Sequence, residues 1–398
     1  MSSWGLSAFQ EAGSRLREQG FQSVDLIGHG WIPSSVDGQS QERSTSIDYL
    51  RPDLDDRLAI HAQTLAKRIV FEGKKARGVE VETGGTNYSI SARREVILSC
   101  GAFQTPQLLM VSGIGDGQQL SALNITVVND LPGVGKNLQD NPGFGLSFPV
   151  KVDTAVKVIR NSSRLLSAIE EYNHKRTGFL TSSGADAVNF EKVKDHTAYN
   201  LSEKAAEDLS RFTADWPEVQ YWPLTTWPGQ DSQTDNAATF VAGLIAPLSR
   251  GNVSIRSNDM TDAPIIHTGW LTHPTDVEVA IGAVRRMRQF VTTEALRPIV
   301  DITHGQDAIP GSTAMSDPEI LAFIRRQLST FYHAAGTCKM GQPSDDSAVI
   351  DSRAKVFGVD GLRVADLSGV PFLPPGQPQA TVYMLAERIA DFIVESVK

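Results

Sequence analysis

The sequence predicts an α/β (or α+β) fold, and three observations carry that prediction. Two β-rich runs, 65–71 and 77–83, flank Glu72-Gly73-Lys74 and read as a hairpin closed by a glycine-containing turn. A strand at 95–99, apolar enough to lie buried in a sheet, runs directly into a glycine turn and a short helix ending at Val111. Apolar residues at helical spacing mark helices at 276–293, 318–329 and 381–397. With 398 residues, 40% apolar and 21% charged, the chain has the length for two or three lobes and the composition of a folded globular protein.

In chain order, residues 1–50 open on a short amphipathic helix (Leu6, Phe9, Ala12, Leu16). They continue as a polar loop rich in Ser and Gly, a peripheral lobe. In the strand–turn–helix junction at 95–111, Thr105 and Pro106 supply an N-cap and a first-turn proline, so the helix is expected to start there. Junctions of this kind often hold ligands. The region from about 145 to 310 is rich in turns and contains Trp216, Trp222, Trp227 and Trp270, the pattern of a sheet-based lobe covering a pocket. The 276–293 helix carries Val277, Ile281, Val284 and Val291, and Asp317 reads as the cap of the helix after it. The last helix puts Val382, Leu385, Ile389, Phe392 and Ile393 on one face, so the chain is expected to end docked on its core.

Several function classes drop out early. The net charge is −9 and no Lys/Arg block exceeds two residues, so attraction to nucleic acid has no source. The two cysteines, Cys100 and Cys338, lie too far apart in sequence for CxxC redox chemistry or a zinc knuckle and read as small buried hydrophobes. The charge-free stretch 367–386 contains four prolines, which argues against a membrane span. The first twenty residues lack the basic and apolar regions of a signal peptide. The expected location is therefore cytoplasmic as the chain stands, or secreted if a further segment precedes Met1. No GxGxxG, P-loop, HExxH or GxSxG pattern is present. His29, His61, His174, His196, His267, His273 and His304 stand outside any motif and read as structural or surface residues.

What generic folding does not explain is the density of special residues in Tyr332-His333-Ala-Ala-Gly336-Thr337-Cys338 and in Gly361-Leu-Arg363-Val-Ala-Asp366. The segment from Cys100 to Gly115 resembles the second signature of the glucose-methanol-choline (GMC) flavin oxidoreductases. Leu131-Pro-Gly-Val-Gly-Lys-Asn-Leu-Gln-Asp140 resembles the family's next loop, 251–271 its strand pair before a long helix, and 332–390 its closing block. The resemblance implies an incomplete GMC-type FAD-binding domain (48–144 and 326–398), interleaved with an antiparallel-sheet substrate domain (1–47 and 145–325). The family's N-terminal βαβ unit with GxGxxG is absent from the sequence. The chain is thus expected to be truncated, or completed by a separate chain, with FAD lost or weakly held.

The resemblance also implies roles for individual residues. His333, in HxxGT, matches the base that takes the substrate hydroxyl proton. Gln377 matches the position that holds the same hydroxyl; it can donate and accept hydrogen bonds but cannot act as acid or base near pH 7. Ala66, Gly101, Ala102 and Asp366 match positions along the dinucleotide, and Gln379, Ala380 and Thr381 the segment lining the flavin ring. No metal is implied. Read this way, the chain is an FAD-dependent dehydrogenase or oxidase acting on the CH-OH group of a small organic alcohol. The stretch 372–383 is similar to fungal members of secondary-metabolite (polyketide-type) pathways. The alternatives are a flavin-independent GMC-like cyclase or lyase, and a pseudoenzyme or half of a split protein.

Overall fold

The structure, a computed structural model, describes residues 1–21, 25–50, 58–182, 184–225, 236–301 and 315–396. Trp227 and His304 lie outside these residues. The chain begins with α1 (Ser2–Glu11) and β1 (Gly28–Trp31), followed by the meander β2 (Thr64–Glu72), β3 (Lys75–Thr83) and β4 (Thr86–Ser91). Then come β5 (Val96–Leu98), α2 (Gly101–Val111), β6 (Ile114–Gly115), α3 (Gly117–Ala122) and β7 (Asn129–Asp130). The middle of the chain holds β8 (Pro142–Pro149), α4 (Ala155–Ile159), α5 (Ser162–Lys175), β9 (Ala187–Glu191), α6 (Glu203–Leu209), β10 (Val219–Leu224) and β11 (Ala237–Leu244). It closes with β12 (Asn252–Ser254), β13 (Ile265–His267), α7 (Pro274–Val291), α8 (Asp317–Gln327), β14 (Ser329–Thr330), β15 (Leu362–Val364) and α9 (Gln379–Glu395).

These elements form two compact units. The first comprises Met1–Leu58, Pro142–Ala246 and His273–Phe331. It is built on a six-stranded antiparallel sheet in the order β1-β9-β10-β11-β8-β14. β8, β9 and β11 are buried along their whole length, so both faces of the sheet are covered. The register puts Phe240 and Tyr221 on one face, where they meet Phe290 of α7 and Phe9 of α1 with ring centroids 4.9 to 5.6 Å apart. That face also buries Glu191, whose carboxylate takes three hydrogen bonds of 2.8 to 3.1 Å from Arg286 of α7. The other face carries Val188, Phe190, Trp222 and Val241, with Phe331 packed against them.

The second unit comprises Ala59–Asn141, Pro247–Thr272 and Tyr332–Lys398. It contains the three-stranded antiparallel sheet β2-β3-β4, the parallel pairs β5/β15 and β6/β7, and the antiparallel pair β12/β13. Its core gathers α2 (Leu108, Leu109, Met110, Val111) with Val96, Leu98, Leu362, Val364 and Ile389.

The structure corrects the sequence reading at several points. Helix α2 begins at Gly101, four residues before the expected cap, and Pro106 lies inside it. A proline there leaves the carbonyl of Ala102 without its helical donor, and Thr337 Oγ1 supplies one at 2.6 Å. The cap of α8 is Ser316, in a capping box with Glu319, rather than Asp317. The hairpin extends to a third strand, β4, turned by Gly84 and Gly85, both at positive φ. Helix α9 docks on the core through Leu385, Ile389 and Ile393, with Ile389 the fully buried one, while Phe392 on the same helix packs against the Arg353 guanidinium at 4.6 Å. The compact units part at 58/59, 141/142 and 331/332, and the cofactor and substrate domains expected from the resemblance at 47/48, 144/145 and 325/326. Residues 247–272 cluster with the second unit, because β12 joins the 135–138 segment by hydrogen bonds from Val253 N to Gly135 O (2.7 Å) and from Leu138 N to Gly251 O (3.0 Å). Among the described residues no helix is long and apolar enough to cross a membrane.

Candidate active site

His333 reaches its place through a break in strand register. Ser329 and Thr330 pair with Gly143 and Pro142, and further along Ala335 and Gln139 exchange backbone hydrogen bonds of 2.8 and 3.0 Å. Between these pairs four residues, 331–334, stand against two, 140 and 141. An unbroken register would place His333 opposite Gln139. Tyr332, held at φ +63° in the left-handed region, takes up the extra length. The result is that His333 meets Asn141.

The contacts at this point are short. Asn141 Nδ2 lies 3.0 Å from His333 Nδ1. Asp140 Oδ1 accepts both from His333 N at 3.1 Å and from Asn141 N at 2.9 Å, locking the two backbones together. His333 is 7% exposed and Asn141 fully buried. Burial pushes the His333 imidazole down to about 4, so it is neutral at physiological pH. Asn141 Oδ1 is buried without a hydrogen-bond partner.

The rest of HxxGT is clamped from two sides. Gly336 N donates to Leu367 O at 3.1 Å, and Asn137 Nδ2 donates to Gly336 O at 3.2 Å. Gly336 sits at φ +82°, where a Cβ would come within 2.9 Å of both Gln139 Nε2 and Asn137 O, so only glycine fits. Gln139, 4% exposed, donates from Nε2 to Pro371 O (3.0 Å) and accepts from Leu373 N (3.1 Å). One side chain thereby ties the loop that leads to Gln377 to the strand beside His333.

The other residues singled out in the sequence fall into two groups. Gly101 opens α2 at φ +81°, and its N–H donates to Asp366 Oδ2 at 2.9 Å. Thr105 Oγ1 donates to the same oxygen at 2.5 Å, while Asp366 Oδ1 accepts from Ser368 N at 2.8 Å. Gly101, Ala102 and Asp366 are thus one cluster, joined to the HxxGT run through Thr337. Gln377 is exposed, as are Gln379 and Ala380 in the first turn of α9, and Thr381 is half-buried. Ala66 is apart from these, half-buried on β2 opposite Val81 beside a bulge. Gln139, Asp140 and Thr337 stand in the matched motifs without a role of their own, and Asn141 stands outside them. The matched loop ended at Asp140, one residue short of the side chain that touches His333. His29 has a buried and His196 a half-buried structural setting: His29 Nδ1 lies 3.2 Å from Ser14 Oγ, and His196 Nε2 lies 3.6 Å from Glu191. Among the described residues no cluster of three His, Cys, Asp or Glu could hold a metal ion.

The comparisons with known proteins agree on one family. Models described as GMC oxidoreductase match residues 5–143 and 247–386. Dehydrogenase pkfF of Emericella nidulans is 41% identical over 393 residues, covering 96% of this chain and 63% of that protein. Patulin synthase of Penicillium expansum is 41% identical over 98% of this chain and 63% of its own length, and versicolorin B synthase stcN of Emericella nidulans is 42% identical over 99% and 61%. The chain therefore spans somewhat under two thirds of the length of these relatives. Among solved structures, an FAD-dependent oxidoreductase from Chaetomium thermophilum superposes with a TM-score of 0.84 at 27% identity, over 99% of this chain and 72% of that one. A formate oxidase superposes at 0.87 with 25% identity, over 98% and 70%.

Proposed function

Because the chain belongs to the GMC oxidoreductase family, with fungal secondary-metabolite dehydrogenases and synthases among its relatives, we propose that it oxidises the CH-OH group of a small organic alcohol in a secondary-metabolite pathway with FAD as cofactor. The observation that carries this reading is the state of His333: buried, neutral to about pH 4, and fixed by Asp140 and Asn141 in the HxxGT run. A neutral imidazole in a dry site is the form that can take a hydroxyl proton.

The residues fit the ring end of a flavin. The first turn of α9 is exposed at Gln379 and Ala380, at the positive end of a 17-residue helix, the end that favours an electron-rich ring edge. When bound, flavin supplies the hydride acceptor. His333 would hold the hydroxyl proton, and Gln377, an exposed amide on the loop that Gln139 anchors, would orient the hydroxyl.

One observation favours a second reading, acid–base cyclisation or elimination by His333 without flavin. At the 100–105 turn the Gly101 N–H and the Thr105 hydroxyl already bind Asp366 and are not offered to a dinucleotide. Titrating the chain with FAD and following flavin absorption and fluorescence separates the two. Binding, followed by bleaching on anaerobic addition of alcohols, is the expected result. A folded chain that leaves the flavin spectrum unchanged overturns the flavin-dependent reading.

A further inference from the structure

We propose that Asn141 is a positioning residue that sets the tautomer of His333: its side-chain carbonyl accepts a hydrogen bond from Nδ1–H and leaves Nε2 as the basic nitrogen. The inference rests on the reading of His333 as the base and deepens it. Its starting point is a mismatch. With Nδ2 facing the ring at 3.0 Å, the amide donates to Nδ1, the ring proton sits on Nε2, and the nitrogen that remains basic is the one covered by the amide. In that arrangement Asn141 Oδ1 is buried with nothing to accept from.

Turning the amide over exchanges oxygen and nitrogen without changing its shape. Oδ1 then faces the donor Nδ1–H, the amide nitrogen takes the buried position Oδ1 held, and Nε2 becomes the atom that can receive a proton. The surroundings hold this geometry in place. Asp140 Oδ1 bridges the backbone N–H groups of His333 and Asn141, so ring and amide cannot drift apart. Asn141 is fully buried, which keeps water from taking over its role. The choice of an amide also has chemical content. A carboxylate at this position would favour the imidazolium and raise the His333 pKa, whereas a neutral acceptor orients the ring and leaves it uncharged. Asp140, the neighbouring carboxylate, is directed instead at the two backbone amides.

The test needs neither flavin nor turnover, so its failure is distinct from failure of the oxidoreductase reading. The chain is labelled with [15N]histidine, long-range 1H–15N correlations are recorded at pH 7, and the His333 ring is assigned by its loss in His333→Gln. The proposal expects a protonated-type shift at Nδ1 and a pyridine-type shift at Nε2. The reverse pattern overturns it. As a second measurement, Asn141→Asp should keep the proton on Nδ1 and raise the His333 titration midpoint by about 1–3 pH units, the effect of an opposite charge in contact. A midpoint that does not move shows that residue 141 does not address Nδ1 and overturns the assignment.

Discussion

Gly143 and Gly243 face each other in register across β8 and β11, and the ring of Phe331 fills the space that a side chain on either would need. A Cβ on Gly143 would stand 2.1 Å from Phe331 Cε2, and one on Gly243 2.8 Å from the same atom. Phe331 precedes Tyr332 and His333, so this slot anchors the chain at the point where the register breaks.

Gly143→Ala should therefore destabilise the protein by roughly 1–3 kcal/mol, the usual result of overfilling a packed site. Phe331→Leu in the same background should recover part of the loss. Urea midpoints of the three variants check this, and an alanine variant as stable as wild type would contradict the slot.

Thr337 and Pro106 form a second dependent pair, since Thr337 donates to the Ala102 carbonyl that Pro106 cannot serve. Thr337→Val should cost about 1–3 kcal/mol through a buried, unsatisfied carbonyl. Adding Pro106→Ala restores a backbone N–H four residues on, so the double variant should be more stable than Thr337→Val alone. Additive losses in a double-mutant cycle would show that the two residues do not share the carbonyl.

Much of the fold was legible because it is written in local patterns. The hairpin around Gly73, the 276–293 helix and the HxxGT run each announce themselves within about a dozen residues. What escaped depends on partners far away in sequence. Thr105 looks like an N-cap and is instead a donor to Asp366; Pro106 looks like a helix start and is tolerated inside one because of Thr337. Asn141 carries no signal of its own, being one polar residue at the start of a strand. Its importance comes from a register slip that only the pairing of 139 with 335 reveals.

Lys192 and Glu218 are an ion pair 5% and 2% exposed, with Lys192 Nζ also donating to the carbonyls of Thr213 (3.1 Å) and Trp216 (2.9 Å). Lys192→Met would leave the Glu218 carboxyl buried without its cation, and the expected cost is about 3–5 kcal/mol. Lys192→Met with Glu218→Leu should be markedly less harmful than Lys192→Met alone. A thermal or urea denaturation series decides it; if the single change loses under 1 kcal/mol, the pair is not a structural element of the sheet unit.

Acid should weaken the protein through His333. Its folded pKa, about 4, lies below the ordinary histidine value of 6.5, because burial disfavours the charged ring. Above pH 6.5 the ring is neutral in both states and this contribution to stability is complete. As pH falls from 6.5 toward 4 the unfolded chain takes up the proton first, and the contribution is lost. In His333→Gln the dependence over that window should be shallower, leaving what His29 and His196, also lowered by burial, contribute. Unfolding midpoints at pH 7, 6, 5 and 4.5 test this; identical slopes for the two proteins would rule His333 out as the source.

The parallel pairing of β5 with β15 joins residues 96–98 to residues 362–364. The contacts that Asp366 and Thr337 make at the start of α2 arrive with the same later stretch of chain. On a ribosome adding about 5–20 residues per second, the first strand of this pair waits roughly tens of seconds for its neighbour. During that interval it is an unpaired edge, the kind of surface on which chains associate wrongly. Order of synthesis thus becomes a property of the fold: the second unit cannot close until residues 362–364 have been made.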